Sequence, residues 1–164
     1  MVNGYLFDTN HVKYWFDKNP NVLNRLRQIS TDAPVVVSAI TLGEIEYGHK
    51  AAAPLGPTQI QRDFLNFVLK NFPLIIPITE MTTSSYGVIR ARLFESFAPK
   101  RKRKGLRAEQ LLQPASSQVL GIQENDIWIA AQALERNLVL VTNDSIRHVE
   151  EVVSELQIEI WSLP

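Results

Sequence analysis

Apolar positions along this chain follow two alternating rhythms: short continuous runs, and longer stretches in which they recur every three or four residues. The runs at 2–7, 34–38 (Pro-Val-Val-Val-Ser), 74–78, 138–142 and 158–161 have the length and bounding residues of buried strands. The helical rhythm predicts helices at 10–16, 20–29, 41–50, around 64–69, and at 82–97, 126–136 and 145–156. Val22, Leu23, Leu26 and Ile29 share one face of the second helix, and Tyr86, Ile89, Leu93 and Phe97 share the buried face of the helix at 82–97. Two prolines and a glycine make 52–57 a loop. Strands and helices alternate without an internal repeat. That order predicts one α/β domain spanning residues 1–164, a three-layer α/β/α sandwich around a mainly parallel sheet.

Such a topology gives meaning to four acidic residues that are far apart in sequence. Asp8 ends the first strand, Glu44 lies about one turn into the helix after the second, Asp126 begins a helix, and Asp144 follows the strand at 138–142. The helix from Asp126 rises roughly 16 Å at about 1.5 Å per residue. The next strand returns roughly the same distance at about 3.3 Å per residue. The helix start and the strand end therefore lie side by side, and Asp126 and Asp144 are expected to be neighbours. In a parallel sheet all four positions share the carboxyl edge, where α/β proteins bind ligands.

Each acid also has a plainer reading as a helix cap. Asp8 in Asp-Thr-Asn suits an N-cap, Thr41-x-x-Glu44 reads as a capping box, Asp126 fits a first helical turn, and Asp144 in Thr-Asn-Asp-Ser suits a cap of the last helix. Four carboxylates at one edge repel and raise one another's pKa. A bound divalent cation removes that penalty, and an all-oxygen donor set favours Mg²⁺, with Mn²⁺ as a substitute, over zinc. Glu46 falls on another face from Glu44 and is left out of the set. His11, His49 and His148 form no ligand pair at helical spacing and are expected on the surface.

Composition narrows the chemistry further. The chain has 164 residues, 45% hydrophobic and 21% charged, in the range of a globular domain. Cysteine is absent, which excludes disulfides, thiolate metal sites and cysteine nucleophiles and fits a reducing cytoplasm. No leader-like pattern opens the sequence and no apolar run could span a bilayer, so a cytoplasmic protein without membrane contact is expected. Neither a Gly-x-Ser-x-Gly elbow nor a phosphate-binding P-loop occurs. Seventeen basic residues balance seventeen acidic ones, yet Lys100, Arg101, Lys102, Arg103, Lys104 and Arg107 crowd together. That block is either a solvated loop, part of a flexible basic insertion at 99–118, or a contact for a phosphate backbone.

Five segments stand out in order: Leu6-Phe7-Asp8-Thr9-Asn10, Ser38-Ala39-Ile40-Thr41-Leu42-Gly43-Glu44-Ile45-Glu46-Tyr47-Gly48, Tyr86-Gly87-Val88-Ile89-Arg90-Ala91-Arg92-Leu93, Asp126-Ile127-Trp128-Ile129-Ala130-Ala131-Gln132-Ala133 and Leu140-Val141-Thr142-Asn143-Asp144. Taken together they resemble the PIN-domain family, and within it the VapC-type toxins of type II toxin–antitoxin pairs. The resemblance implies a Mg²⁺-dependent endoribonuclease that hydrolyses phosphodiester bonds with metal-activated water. It also implies an RNA substrate, a homodimer, and an antitoxin partner whose tail covers the acidic groove. Asp8, Glu44, Asp126 and Asp144 match the family's acidic positions, with Asp8 and Asp126 as direct ligands. Thr9, Asn10 and Thr142 match polar supporting positions. Trp15, Phe16 and Tyr47 are candidates either for interfaces or for the core.

Two departures stand out. The segment between Leu93 and Asp126 is longer than usual and carries the basic block, and His148-Val149 stands where Asp-Phe or Glu-Phe is common. Two rival readings remain at this level. One is a catalytically silent PIN-like module. The other is a phosphatase resembling the haloacid dehalogenases with Asp8 as nucleophile, although Asn10 stands where that family has a second aspartate.

Overall fold

The structure, a computed structural model, describes residues 4–52, 55–99, 103–143 and 146–163. Five short strands form one sheet: β1 (Tyr5–Phe7), β2 (Val35–Ser38), β3 (Ile75–Ile76), β4 (Val139–Val141) and β5 (Gln157–Glu159). Their spatial order is β3-β2-β1-β4-β5, and every neighbouring pair is parallel. Seven α-helices accompany them among the described residues: α1 (Thr9–Phe16), α2 (Pro20–Gln28), α3 (Ala39–Lys50), α4 (Gln59–Asn71), α5 (Glu80–Phe97), α6 (Glu124–Arg136) and α7 (Arg147–Val152). A parallel sheet buries both faces, and the strand side chains alternate between two cores. Leu6, Val36, Ile76 and Leu140 join Ile89 and Leu93 of α5 and Ile127 and Ala130 of α6. Phe7, Val37, Val139 and Val141 join Val12 of α1, Val22 of α2, Ile45 of α3 and Val68 of α4. The expected three-layer sandwich is therefore observed.

Several local features fix the frame. Gly4 precedes β1 at φ +140°, and a Cβ there would lie 2.5 Å from the Pro34 carbonyl oxygen. Only glycine accepts both the dihedral and the approach, which lets the Tyr5 amide donate to that same carbonyl at 2.8 Å. On the other face of the sheet, α5 and α6 are tied at both ends. Thr79 Oγ1 donates to Glu135 at 2.9 Å, Arg90 pairs with Glu124, and Tyr86 stacks on Trp128 with centroids 3.9 Å apart. These ties hold the N-terminus of α6 at the carboxyl edge of the sheet.

Some boundaries differ from those predicted. Helix α3 starts at Ala39 because Ser38 both ends β2 and caps the helix, its hydroxyl accepting from the Ile40 amide at 2.9 Å. The pair Thr41 and Glu44 is consequently not a capping box; the Thr41 hydroxyl is buried without a hydrogen-bond partner among the described residues. The last helix is short, ending at Val152, and the amide of its C-cap Val153 donates to the Val149 carbonyl. Between α5 and α6 the long segment is anchored by Ala108 and Leu111, both fully buried, by a 3₁₀ turn at Ala108–Gln110, and by an antiparallel bridge between Leu112 and Val119. Among the described residues no helix is long and apolar enough to cross a membrane.

Candidate active site

The sheet order reverses between β1 and β4, which leaves a crevice at their carboxyl ends, the usual ligand position in open α/β sheets. Asp8 follows β1 directly, and its amide donates to the Val141 carbonyl at 3.1 Å. It is the N-cap of α1, as its plainer reading held, and it also faces the crevice. Oδ1 of Asp8 accepts from the His11 amide at 2.7 Å and lies 3.0 Å from His11 Nδ1, while Oδ2 accepts from Thr142 Oγ1 at 2.6 Å. Glu44, in the second turn of α3, accepts from Thr9 Oγ1 and from Asn125 Nδ2, the latter at 2.7 Å. Asp126, in the first turn of α6, accepts from the Gln123 amide at 2.8 Å.

Asp8, Glu44 and Asp126 together line one pocket of about 240 Å³, with Thr9, Asn10, Gly121, Gln123 and Ile129. Their mutual effect is electrostatic as well as spatial. Burial pushes the Asp126 carboxyl up, Glu44, Asp8 and Glu109 add to the rise, and the Gln123 amide opposes it, leaving the pKa at about 6. A carboxyl displaced by desolvation and like charge in a crevice is a candidate for a functional site.

Thr9 hydrogen-bonds Glu44 and Thr142 hydrogen-bonds Asp8. Asn10 lines the pocket, and its amide makes no hydrogen bond among the described residues. Asp144 lies outside the described residues, as do Lys100, Arg101 and Lys102. Of the rest of the basic block, Arg103 closes the end of α5, its guanidinium donating to the Glu95 carbonyl at 2.9 Å and to that of Ala98 at 3.4 Å. Lys104 and Arg107 are exposed. Glu46 pairs with Lys50 at 2.9 Å, away from the acids.

The expectation of surface histidines fails for His11, which is 0% exposed. Its ring fills the space between Asp8, Tyr14 and Phe7, edge-on to both aromatics. Three further residues escaped sequence reasoning. Asn125 is the neighbour of Asp126 and orients Glu44. Glu109 accepts from the Glu124 amide at 3.1 Å, and so caps the N-terminus of α6 from the long inserted segment. Gln123 supplies the amide that holds Asp126. An amide side chain beside a candidate acid, and an acid within the insertion, were the available signals.

Among the described residues no three carboxylate or imidazole groups converge tightly enough to ligate an ion as they stand. The donor chemistry nevertheless suits a hard divalent cation. The carboxylates of Asp8, Glu44 and Asp126 bring oxygen donors to the pocket, no sulfur or imidazole lines it, and Asp126 keeps Oδ1 free of hydrogen bonds among the described residues.

Comparison with known proteins agrees with this frame. The sequence model of the family described as PIN domain matches residues 5–151. This chain is a PIN-domain protein. It is 30% identical over 159 residues to the ribonuclease VapC2 of Haemophilus influenzae, covering 96% of this chain and 97% of that protein. The ribonuclease VapC2 of Rickettsia felis is 28% identical over 141 residues, 85% of this chain and 86% of that one. In structure the PIN domain described here superposes on a chain of the VapBC2 complex of Rickettsia felis, crystallised with a DNA fragment from its promoter. The TM-score is 0.67 at 26% identity, covering 96% and 98% of the two chains. Membership of this family removes the dehalogenase-like reading of Asp8.

Proposed function

We propose that this chain is a divalent-metal-dependent endoribonuclease and the toxin of a type II toxin–antitoxin pair, with Mg²⁺ as its cofactor and Mn²⁺ as a working substitute. The observation that carries this reading is the crevice shared by Asp8, Glu44 and Asp126, in which Asp126 is driven up to about 6. Kinship with proteins named ribonuclease VapC supplies the substrate class, and kinship with VapBC complexes supplies the antitoxin.

A divalent cation bound among these oxygens would lower the pKa of a water and stabilise charge on the phosphoryl group. The protein's part is to hold the oxygens. Asp8 and Asp126 would be the direct ligands and Glu44 would complete the cage, with Asp144, outside the described residues, as the fourth acid. Thr142 and Thr9 keep Asp8 and Glu44 turned by their hydrogen bonds, and Asn125 holds the second oxygen of Glu44. No side-chain nucleophile is required.

Glu44 lines two further hollows, one on each side of α3. The first, about 490 Å³, includes Ala39, Ile40, Gly43, Tyr47 and Asn125. The second, about 190 Å³, includes Thr9, Ile45, Gly48, His49, Gln61 and Phe64. A polynucleotide strand or an antitoxin tail crossing α3 would pass directly over the acids. Tyr47, 74% exposed, offers a ring to either. Lys104 and Arg107, with Lys100, Arg101 and Lys102, would contact RNA phosphates. Homodimerisation would cover the exposed Met81 and Val88 of α5. The protein acts in the cytoplasm on this reading.

The test is incubation of pure protein, free of co-purified inhibitor, with total cellular RNA in Mg²⁺ or in EDTA, alongside Asp8→Asn. Discrete fragments that need Mg²⁺ and vanish in the folded variant are expected. Unchanged turnover in Asp8→Asn would sink the metal-site reading, and no cleavage by folded parent in either Mg²⁺ or Mn²⁺ would favour a silent binding module.

A further inference from the structure

His11 has no role in the chemistry described so far, yet it is the fully buried partner of Asp8. Its hydrogen bonds determine its tautomer. The Trp161 amide donates to His11 Nε2 at 3.3 Å. An amide N–H can only donate, so Nε2 must be the bare nitrogen and Nδ1 carries the proton. That proton points at Asp8 Oδ1, 3.0 Å away, where the His11 backbone amide also donates at 2.7 Å. A carboxylate oxygen has two acceptor positions, and both on Oδ1 are filled by this one residue. Oδ2 has one position filled, by Thr142 Oγ1 at 2.6 Å.

We propose that His11 is a positioning residue for the carboxylate cluster: it saturates Oδ1 of Asp8 and thereby leaves Oδ2 as the oxygen offered to a divalent cation. The inference rests on the metal-dependent reading above. The imidazole is in turn oriented from the far end of the chain. Trp161, just past β5, is itself fixed by its indole N–H donating to Glu159 at 2.6 Å and by edge-on contacts with Tyr5 and Phe7 at 4.9 and 5.1 Å. The end of β5 thus fixes the tautomer of the imidazole that binds an acid at the end of the first strand. Partners that orient a ligating group typically change metal affinity by about 10–100-fold when removed.

Two substitutions separate positioning from packing. In His11→Asn the amide nitrogen can take the place of Nδ1 and keep the bond to Asp8 while losing the link to Trp161. In His11→Gln the amide oxygen can take the place of Nε2, keeping the Trp161 link while losing the bond to Asp8. Mn²⁺ binding to the pure full-length chain, measured by calorimetry without RNA, should weaken about 10–100-fold in His11→Gln and stay close to the parent in His11→Asn. Equal affinities in both variants and the parent, or equal losses in both variants, would overturn the proposal. Should either variant fail to fold, ¹⁵N NMR of the unmodified protein decides: Nδ1 must be the protonated nitrogen, and a proton on Nε2 would overturn it. A parent that binds no Mn²⁺, or binds it equally after Asp8→Asn, instead refutes the metal reading on which the proposal stands.

Discussion

Replacing Asp126 by asparagine should make the metal-free protein more stable at neutral pH. Burial, followed by the charges of Glu44, Asp8 and Glu109, raises this carboxyl from 3.8 to about 6. The folded state therefore holds a proton that the unfolded chain has already released between those two values. Stability must fall as pH rises through that window, the reverse of the usual salt-bridged aspartate. About two units at about 1.36 kcal/mol each sets a ceiling near 3 kcal/mol, and relaxation of the site reduces it to about 1–3 kcal/mol. Asparagine removes the charge but keeps an oxygen to accept from the Gln123 amide, so the capping interaction survives. Urea unfolding in EDTA of parent and Asp126→Asn, from about pH 4 to about pH 7.5, measures the difference directly. The variant should gain about 1–3 kcal/mol at the upper end, with the gap closing toward the lower. A variant less stable than the parent at neutral pH, or a gap that ignores pH, would refute the electrostatic account of the crevice.

Other expectations follow from the same geometry. Because Asp126 must lose its proton to ligate, calorimetric Mn²⁺ affinity should drop as pH falls below about 6, and should be flat there if Asp126 is not a ligand. Replacing exposed Lys104 and Arg107 together by alanine should lower the slope of log affinity against log salt for single-stranded RNA by about 0.7 for each lost phosphate contact. Arg103→Ala should instead lower the melting temperature while leaving that slope alone, since its guanidinium closes α5; the opposite pattern would reverse the assignments.

The strand run at Val35–Val37 and the periodicity of α6 were legible because local pattern and burial coincide there. The meeting of Asp8, Glu44 and Asp126 was legible only through topology: parallel strands and antiparallel helix returns bring them to one edge whatever lies between. The supporting contacts were not. His11 follows Thr9 and Asn10 in a polar first turn, so nothing local marks it as buried, and its second partner is the amide of Trp161, 150 residues away. Glu109 belongs to a segment whose composition reads as a solvated loop, although Ala108 and Leu111 root it in the core. Thr41 and Glu44 mimic a capping box by spacing alone; Ser38 takes the cap because β2 runs into α3 without a loop. Sequence spacing proposes such pairings, and only the preceding backbone decides among them.

The central claim is that Asp8, Glu44 and Asp126 hold a divalent cation at the reversal point of the sheet. Crystals of the protein soaked in Mn²⁺, with data collected for anomalous scattering, test it most directly. A single dominant peak or a close pair, within coordination distance of Asp8 Oδ2 and Asp126 and lost in Asp126→Asn crystals, is the predicted result. A crevice without anomalous density, or Mn²⁺ bound elsewhere while these carboxylates keep only their protein hydrogen bonds, would contradict the account.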